Sequence, residues 1–442
     1  MSDKQDKTGL SRREFIRAAG ITAAGVMASS LVGNKVLAQA GTAPARPRVV
    51  GANDRLNYAI IGVGGMGNGH LDHLKALKQE QNLDIVAVSD VWDKRRLDAA
   101  KSAGIPESQS FRDYRKIIDN KDIDVVVIAT PDHWHASIAI AAMQAGKHVY
   151  CEKPMTHTLD EAFRMHKTAK DTGCIVQVGS QGCTDTKWHV AGQAVKDGKI
   201  GTVLWAQGGY CRNNPNGEWN WDIDPGANES NLDWKTWLGS APKRAWDPDR
   251  FFRWRKFWDY GNGIIGDLWP HRLHPLMIAM NNMDFPHRVV CLGANIMHTD
   301  KGFGEERDVA DATQMIAEFP SGAMIYLAGS TVNELGPEDL IRGNKACMFF
   351  GGGKVQILPQ RPFADEIEQA DLPVVGPGED QREHHRNLIK CIREGGTPNC
   401  DIDLGLRVQT IVSMAEMSYR QSTMALFDAS KQKLIQPKPR GG

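Results

Sequence analysis

At 442 residues the chain is long enough to bury the cores of two or three domains. Its 53 Lys and Arg balance 53 Asp and Glu, which excludes a nucleic-acid or membrane-surface role resting on bulk charge. With 41% hydrophobic and 24% charged residues, the composition is that of an ordinary globular protein.

The first forty residues read as a targeting segment rather than as part of the fold. Ser11-Arg12-Arg13-Glu14-Phe15-Ile16-Arg17 precedes a weakly apolar run, Ala18 to Val32, and Ala38-Gln39-Ala40 offers a small-x-small cleavage site. The Arg pair followed by Phe resembles a twin-arginine signal; a chance Arg-Arg ahead of a Sec signal is the competing reading. Gly, Thr and Ser dilute the apolar run, so no stable membrane anchor is expected. The expectations are recognition by the twin-arginine export machinery and a periplasmic or otherwise exported location. Residues 41–54, rich in Pro, Ala and Arg, read as a linker.

Strand and helix signals then alternate. Strands are predicted at Leu56–Ile61, Asp84–Asp90, Val125–Thr130, His148–Cys151 and Ile175–Gly179. Helices are predicted at about Gly67–Lys78, Lys94–Ala103, Phe111–Ile118 and His135–Ala145, and a Thr158-Leu-Asp-Glu161 capping box opens another to about Asp171. Such alternation implies a doubly wound parallel sheet, an α/β Rossmann domain over 55–178. Beyond it, Thr202–Gly209, Arg288–Asn295, Asp311–Phe319 and Ala323–Ser330 read as strands without intervening crossover helices. An α+β domain with a large, mostly antiparallel sheet is therefore expected over 179–442, with C-terminal helices at 381–395 and 403–424. The eight cysteines show no CxxC pair and no compact ladder, so no required disulfide is expected.

Gly62-Val-Gly64-Gly65-Met66-Gly67 follows the first strand and opens the first helix, a context in which glycines cradle the pyrophosphate of a dinucleotide. Asp90 ends the second strand and can accept from a ribose 2′-OH, which favours NAD; Arg95 and Arg96 keep NADP open. Thr130-Pro131-Asp132-His133-Trp134-His135 follows the third predicted strand and can line the nicotinamide half, with Thr130, Pro131 and His135 as candidates. His133 and His135 also have the spacing of a metal pair, and loop packing competes for both. Cys151-Glu152-Lys153-Pro154 closes the set: a lysine at that end of the domain, held by Glu152, suits polarising a hydroxyl or carbonyl oxygen. Asp267 and His271 are four apart and would share a helix face, so the carboxylate would orient the ring while His271 takes a hydroxyl proton. A metal site through Asp267, His271, His274 and His298 is the lesser alternative, and no metal is expected. Ten of the twelve tryptophans lie between Trp188 and Trp269, suited to a sugar site or a subunit contact about equally. Tyr210 and Arg212, after a strand, can reach the substrate. His384 and His385 open a C-terminal helix, where capping or packing competes with a role at the site.

Gly62–Gly67, Asp90, the Thr130–His135 turn, Glu152-Lys153-Pro154 and Gly263-Ile-Ile-Gly-Asp267-Leu-Trp-Pro-His271 together resemble the Gfo/Idh/MocA oxidoreductases over about residues 55–430. The resemblance implies a Rossmann domain joined to an open-faced sheet domain, and Lys153, Asp267 and His271 as the catalytic set. It implies a homo-oligomer, dimer or tetramer, paired through the open sheet. His274 stands where many relatives carry Asp; it is taken as a substrate-binding candidate with Tyr210 and Arg212. The expected function is an exported oxidoreductase moving hydride between a tightly bound NAD(P) and a sugar, polyol or glycoside hydroxyl. The alternative is a redox-neutral NAD-dependent glycosidase, of the kind that cleaves α-N-acetylgalactosaminides.

Overall fold

The computed structural model describes residues 55–298, 300, 302 and 304–435. The expected signal peptide and linker lie outside these residues. Strands β1 (Leu56–Ile61), β2 (Leu83–Ser89), β3 (Ser110–Phe111), β4 (Val125–Ile128), β5 (His148–Glu152) and β6 (Val176–Gly179) form one parallel sheet in the order β3-β2-β1-β4-β5-β6. Helices α1 (Gly65–Leu77), α2 (Asp93–Ala103), α3 (Arg115–Asp119), α4 (Asp132–Gln144) and α5 (Leu159–Thr172) make the crossovers. β4 is Val-Val-Val-Ile with every residue buried, as a strand covered on both faces requires. The order reverses beside β1, and the crevice beyond the strand ends there is where such sheets take ligands. The capping box at Thr158 forms with both of its hydrogen bonds. One element differs from expectation: Phe111–Ile118 is not a single helix, because Ser110 and Phe111 pair along the edge of β2 before the chain coils into α3.

The second part opens with α6 (Thr186–Lys196), β7 (Val203–Cys211), α7 (Trp234–Leu238), α8 (Pro248–Phe252), α9 (Gly263–Asp267) and α10 (Pro270–Ala279). Strands β8 (Arg288–Ala294), β9 (Ala312–Glu318), β10 (Met324–Ser330), β11 (Leu340–Gly343), β12 (Ala346–Gly351), β13 (Lys354–Pro359) and β14 (Ala370–Pro373) follow. Helices α11 (Gln381–Glu394) and α12 (Ile402–Gln421), then β15 (Ala425–Asp428) and β16 (Lys433–Ile435), end the described chain. The ten strands make one sheet, β14-β13-β12-β11-β7-β10-β9-β8-β15-β16, antiparallel except for the β7/β10 pair. The four strands read from the sequence are its centre; β11–β14 and the β15/β16 hairpin extend it on both sides.

Alternation along β8, β9 and β10 sends Val289, Cys291, Met315, Ala317, Ile325 and Leu327 into the core, with α12 across β8. The opposite face leaves Val290, Leu292, Ile316 and Met324 exposed. All eight cysteines are free thiols, seven of them buried. No helix of the described residues is long and apolar enough to cross a membrane.

Candidate active site

A cleft of about 770 Å³ opens at the carboxyl ends of β1 and β4. One end is the glycine turn. Gly62 has φ +83°, and a Cβ on it would stand 2.8 Å from the Ala129 carbonyl and the Thr130 nitrogen; a Cβ on Gly67 would stand 1.9 Å from the Gly62 oxygen. Both positions therefore have to be glycine for the turn to close. Gly65 faces open space, and a Cβ on Gly64 would meet only the Arg95 guanidinium, at 3.4 Å. No side chain caps α1, so its first N–H groups are left toward this concavity. Met66 lies half-exposed on the rim. Thr130 Oγ1, on the opposite wall, is buried and has no partner among the described residues. An uncapped helix N-terminus under a cradle that a Cβ would fill fits a diphosphate.

Asp90 lines the same end. Its Oδ2 accepts from Val63 N and its Oδ1 from Trp92 N, both at 3.0 Å, and burial raises its carboxyl above the usual range. Each oxygen keeps a lone pair for a ribose hydroxyl. Arg96 is spent on Asp93 and Ser110, while Arg95 lies against the rings of Trp92, Phe251 and Phe252 at 5.0–5.6 Å. Pro131 also lines the cleft. His135 sits behind this turn, its Nδ1 2.8 Å from the Pro154 carbonyl and its Nε2 2.9 Å from that of Thr130. Burial lowers its pKa, so the neutral ring donates to one carbonyl at a time and braces the turn against the Lys153–Pro154 segment.

At the far end of the cleft the structure gathers Lys153, Asp267 and His271. Lys153 Nζ donates to Asp267 Oδ1 and to the Asp267 carbonyl, both at 2.8 Å. Arg255 Nε donates to the same Oδ1 at 2.9 Å. Burial works against charge on Asp267, but these two cations outweigh it and hold the carboxyl far below its usual range. Burial, with the Lys153 ammonium second, pushes His271 down to about 3, so the ring is a free base at neutral pH. Its Nδ1 is buried without a partner among the described residues, and the ring stacks on Tyr210 at 5.1 Å. Arg212, beside Tyr210, is held by Glu218 at 2.9 Å and reaches the Tyr210 hydroxyl at 3.4 Å.

Three expectations about this end are corrected. Asp267 does not orient His271; no hydrogen bond joins them, and the carboxylate is taken up by Lys153 and Arg255. Nor do the two share one helix face, because Asp267 ends α9 and His271 is the second residue of α10, whose first residue, Pro270, has no N–H to continue the ladder. Gly329 of β10 lets this corner close: a Cβ there would stand 2.4 Å from Ile264 and 2.6 Å from Trp269. Glu152 does not hold the Lys153 ammonium. One of its oxygens is 3.0 Å from His70 Nε2 and the other accepts from Lys153 N at 3.2 Å. Burial opposes its charge, but the His70 hydrogen bond leads the influences that keep it below its usual range.

His274 is not on the cleft wall. Its Nδ1 donates to the Pro270 carbonyl at 2.8 Å and its Nε2 is buried, which corrects its assignment to substrate. His133 is likewise turned away, 2.9 Å from the Trp237 carbonyl, and burial lowers it to about 4. No group of three or more His, Cys, Asp or Glu among the described residues is placed to hold a metal ion. His384 packs on Thr184 and the Val178 carbonyl; His385 meets His70 Nδ1 at 3.0 Å, behind Glu152. The tryptophans divide: Trp219, Trp221, Trp237 and Trp254 join Trp92 and Trp134 on the cleft, and Trp188 and Trp269 are core.

Sequence reasoning passed over Arg255 and Asp132. Arg255 sits in Phe-Arg-Trp-Arg-Lys-Phe, where nothing in the pattern separates it from Arg253 or Lys256. Asp132 opens α4 within the turn that was singled out, and burial drives its carboxyl well above the usual range.

Residues 56–180 match the NAD-binding Rossmann fold of the GFO/IDH/MocA oxidoreductase family, and residues 216–439 match that family's C-terminal alpha/beta domain. The chain belongs to this family. It is therefore an NAD-binding oxidoreductase, and the cradle and cleft are the parts that would hold the dinucleotide. It is 29% identical over 287 residues to a glycosyl hydrolase family 109 protein of Shewanella pealeana, covering 62% of this chain but only 56% of that relative. It is 25% identical over 398 residues to levoglucosan dehydrogenase of Pseudarthrobacter phenanthrenivorans, covering 80% of this chain and 94% of the relative. Over 154 residues, 35% of this chain and 45% of the other, it is 31% identical to inositol 2-dehydrogenase of Salmonella typhimurium. Levoglucosan dehydrogenase in complex with NADH and levoglucosan superposes with a TM-score of 0.63 at 22% identity, over 86% of this chain and 99% of that one. Aldose-aldose oxidoreductase from Caulobacter crescentus gives 0.62 at 20% identity, over 85% and 100%. These structural likenesses carry the fold.

Proposed function

We propose that this protein is an NAD-dependent oxidoreductase of a sugar, polyol or glycoside hydroxyl. The observation that carries the reading is the meeting of Lys153, Asp267 and His271 on the cleft that the glycine turn enters. NAD, when bound, supplies the hydride acceptor or donor. Lys153 has three N–H donors, of which two are spent on Asp267, leaving the third for the substrate oxygen. The fixed ammonium stabilises negative charge developing on that oxygen. His271, neutral and facing the cleft, takes the hydroxyl proton. Asp267 fixes Lys153 rather than His271; the imidazole is placed by Tyr210 and by the start of α10. The relatives named for levoglucosan and inositol favour a polyhydroxylated substrate.

Purified protein should release NAD on denaturation and form NADH with a panel of free sugars and polyols. Lys153→Ala should abolish that turnover, and unchanged turnover in this variant would remove Lys153 from the chemistry. A second reading, redox-neutral cleavage of glycosides, is favoured by the family 109 relative. Release of phenol from aryl glycosides without net NADH would decide for it.

Two further parts of the proposal rest on other features. The Arg12-Arg13 segment supports export through the twin-arginine route, tested by whether Arg12→Lys with Arg13→Lys retains the protein in the cytoplasm. The exposed Val290, Leu292, Ile316 and Met324 support self-association through the open sheet, since contiguous apolar patches mark interaction surfaces.

A further inference from the structure

The Arg255 guanidinium is held on three sides. The Trp254 ring lies 4.1 Å and the Trp221 ring 5.2 Å from its carbon, and its Nε is bonded to Asp267. Its two terminal nitrogens have no hydrogen-bond partner among the described residues, and the side chain lines the cleft beside Lys153 and His271. A planar cation fixed by stacking, with its far edge open, presents two parallel N–H groups at little further entropic cost.

Charge at this end points to the kind of acceptor. Asp267 is the one acid among the described residues in direct contact with both Lys153 and Arg255, and the Glu152 carboxylate adds a second negative charge near Lys153. Glu152 is bonded to His70 and to Lys153 N, and Glu218 is on Arg212. Burial raises the Asp132 carboxyl well above its usual range, and the Arg255 guanidinium is the leading charge that opposes this, without a hydrogen bond between the two. Asp224 is paired with Lys94, and Asp222 is exposed on the rim. None of these acids bonds the open edge of Arg255.

We propose that Arg255 is a specificity-determining residue that receives a carboxylate of the substrate, so that the preferred substrates are sugar acids. The inference rests on the sugar-oxidoreductase reading above. Two carboxylate oxygens match the two terminal nitrogens in a bidentate pair, whereas the hydroxyls of a neutral sugar offer weaker, uncharged acceptors. Trp221 and Trp254 keep the fork planar and report its occupancy, because a ligand seated there changes their surroundings.

The test titrates tryptophan fluorescence with D-glucuronate and D-galacturonate against D-glucose and D-galactose, and follows NADH formation with the same four compounds. At least one uronate should bind ten times more tightly than its neutral counterpart. Arg255→Gln should erase that preference, and Arg255→Lys, which keeps the charge without the fork, should retain part of it; near-UV circular dichroism confirms that both variants are folded. Equal binding within both pairs, no saturable change with either uronate, or an equal loss for both members of a pair in Arg255→Gln would each overturn the proposal. A uronate preference without NADH formation from any of the four would count against the oxidoreductase reading and leave the fork standing. NADH formation without the preference would do the reverse.

Discussion

The environment of His271 makes a prediction about acid pH that an ordinary histidine would fail. A general base works only when deprotonated, so kcat/KM for the free enzyme falls as pH drops through the pKa of the base. A histidine at its usual value of about 6.5 would be only about 3% deprotonated at pH 5, a loss of roughly 30-fold from the plateau. Burial and the Lys153 ammonium place His271 at about 3, where about 99% of the ring is still the free base at pH 5. The assay is initial-rate NADH formation at low substrate concentration between pH 5 and 8. The expected outcome is a profile whose acid side is flat within a factor of two. His271→Gln should lower kcat/KM by about 100- to 10,000-fold across that range, the usual worth of a positioned base. An acid limb centred near 6.5 that disappears in His271→Gln would show that the ring is solvated and ordinary, and would refute the argument from burial.

Three other outcomes follow from the same geometry. Gly67→Ala drives a Cβ to within 1.9 Å of the Gly62 oxygen, so the turn must open; the variant should lose the NAD that the wild type releases on denaturation while remaining folded by far-UV circular dichroism. Asp267→Asn removes the common partner of two cations, one of them the buried Lys153. By the cost of breaking a buried ion pair it should be about 3–5 kcal/mol less stable in urea titration, with kcat/KM down at least about 100-fold. His133, His148, His274 and His384 are all lowered by burial to about 4. Because their folded values lie below the unfolded 6.5, the unfolded chain binds more protons between pH 6.5 and 4. Stability is therefore full above 6.5 and is lost as pH falls through that window, by up to about 1.4 kcal/mol per pH unit for each ring. A melting temperature that stays constant from pH 7 to 4.5 would contradict this.

What the sequence disclosed depended on whether a residue acts through its neighbours in the chain or through distant ones. The Rossmann half was legible because its signals are local. Val125-Val-Val-Ile128 must be a doubly covered strand, Thr158 and Glu161 cap each other within one turn, and Gly62 and Gly67 constrain a single bend. Lys153 was legible as a residue of the cleft, but its partner was misread. Glu152 is adjacent in sequence, yet β5 sends its carboxylate to His70 on α1, and the ammonium crosses to Asp267, 114 residues on. The Asp267–His271 spacing misled in the opposite way, since a count of four implies a shared face only if the helix is continuous, and Pro270 interrupts it. Arg255 carries no local mark at all. Its placement arises only where Trp221 and Asp267, distant in the chain, meet it beside its own neighbour Trp254, and together these residues turn a flexible cation into a rigid one. The positions of these cleft residues are thus written largely in short motifs, whereas the pairing of Lys153 and Arg255 with Asp267 is set by contacts across the chain.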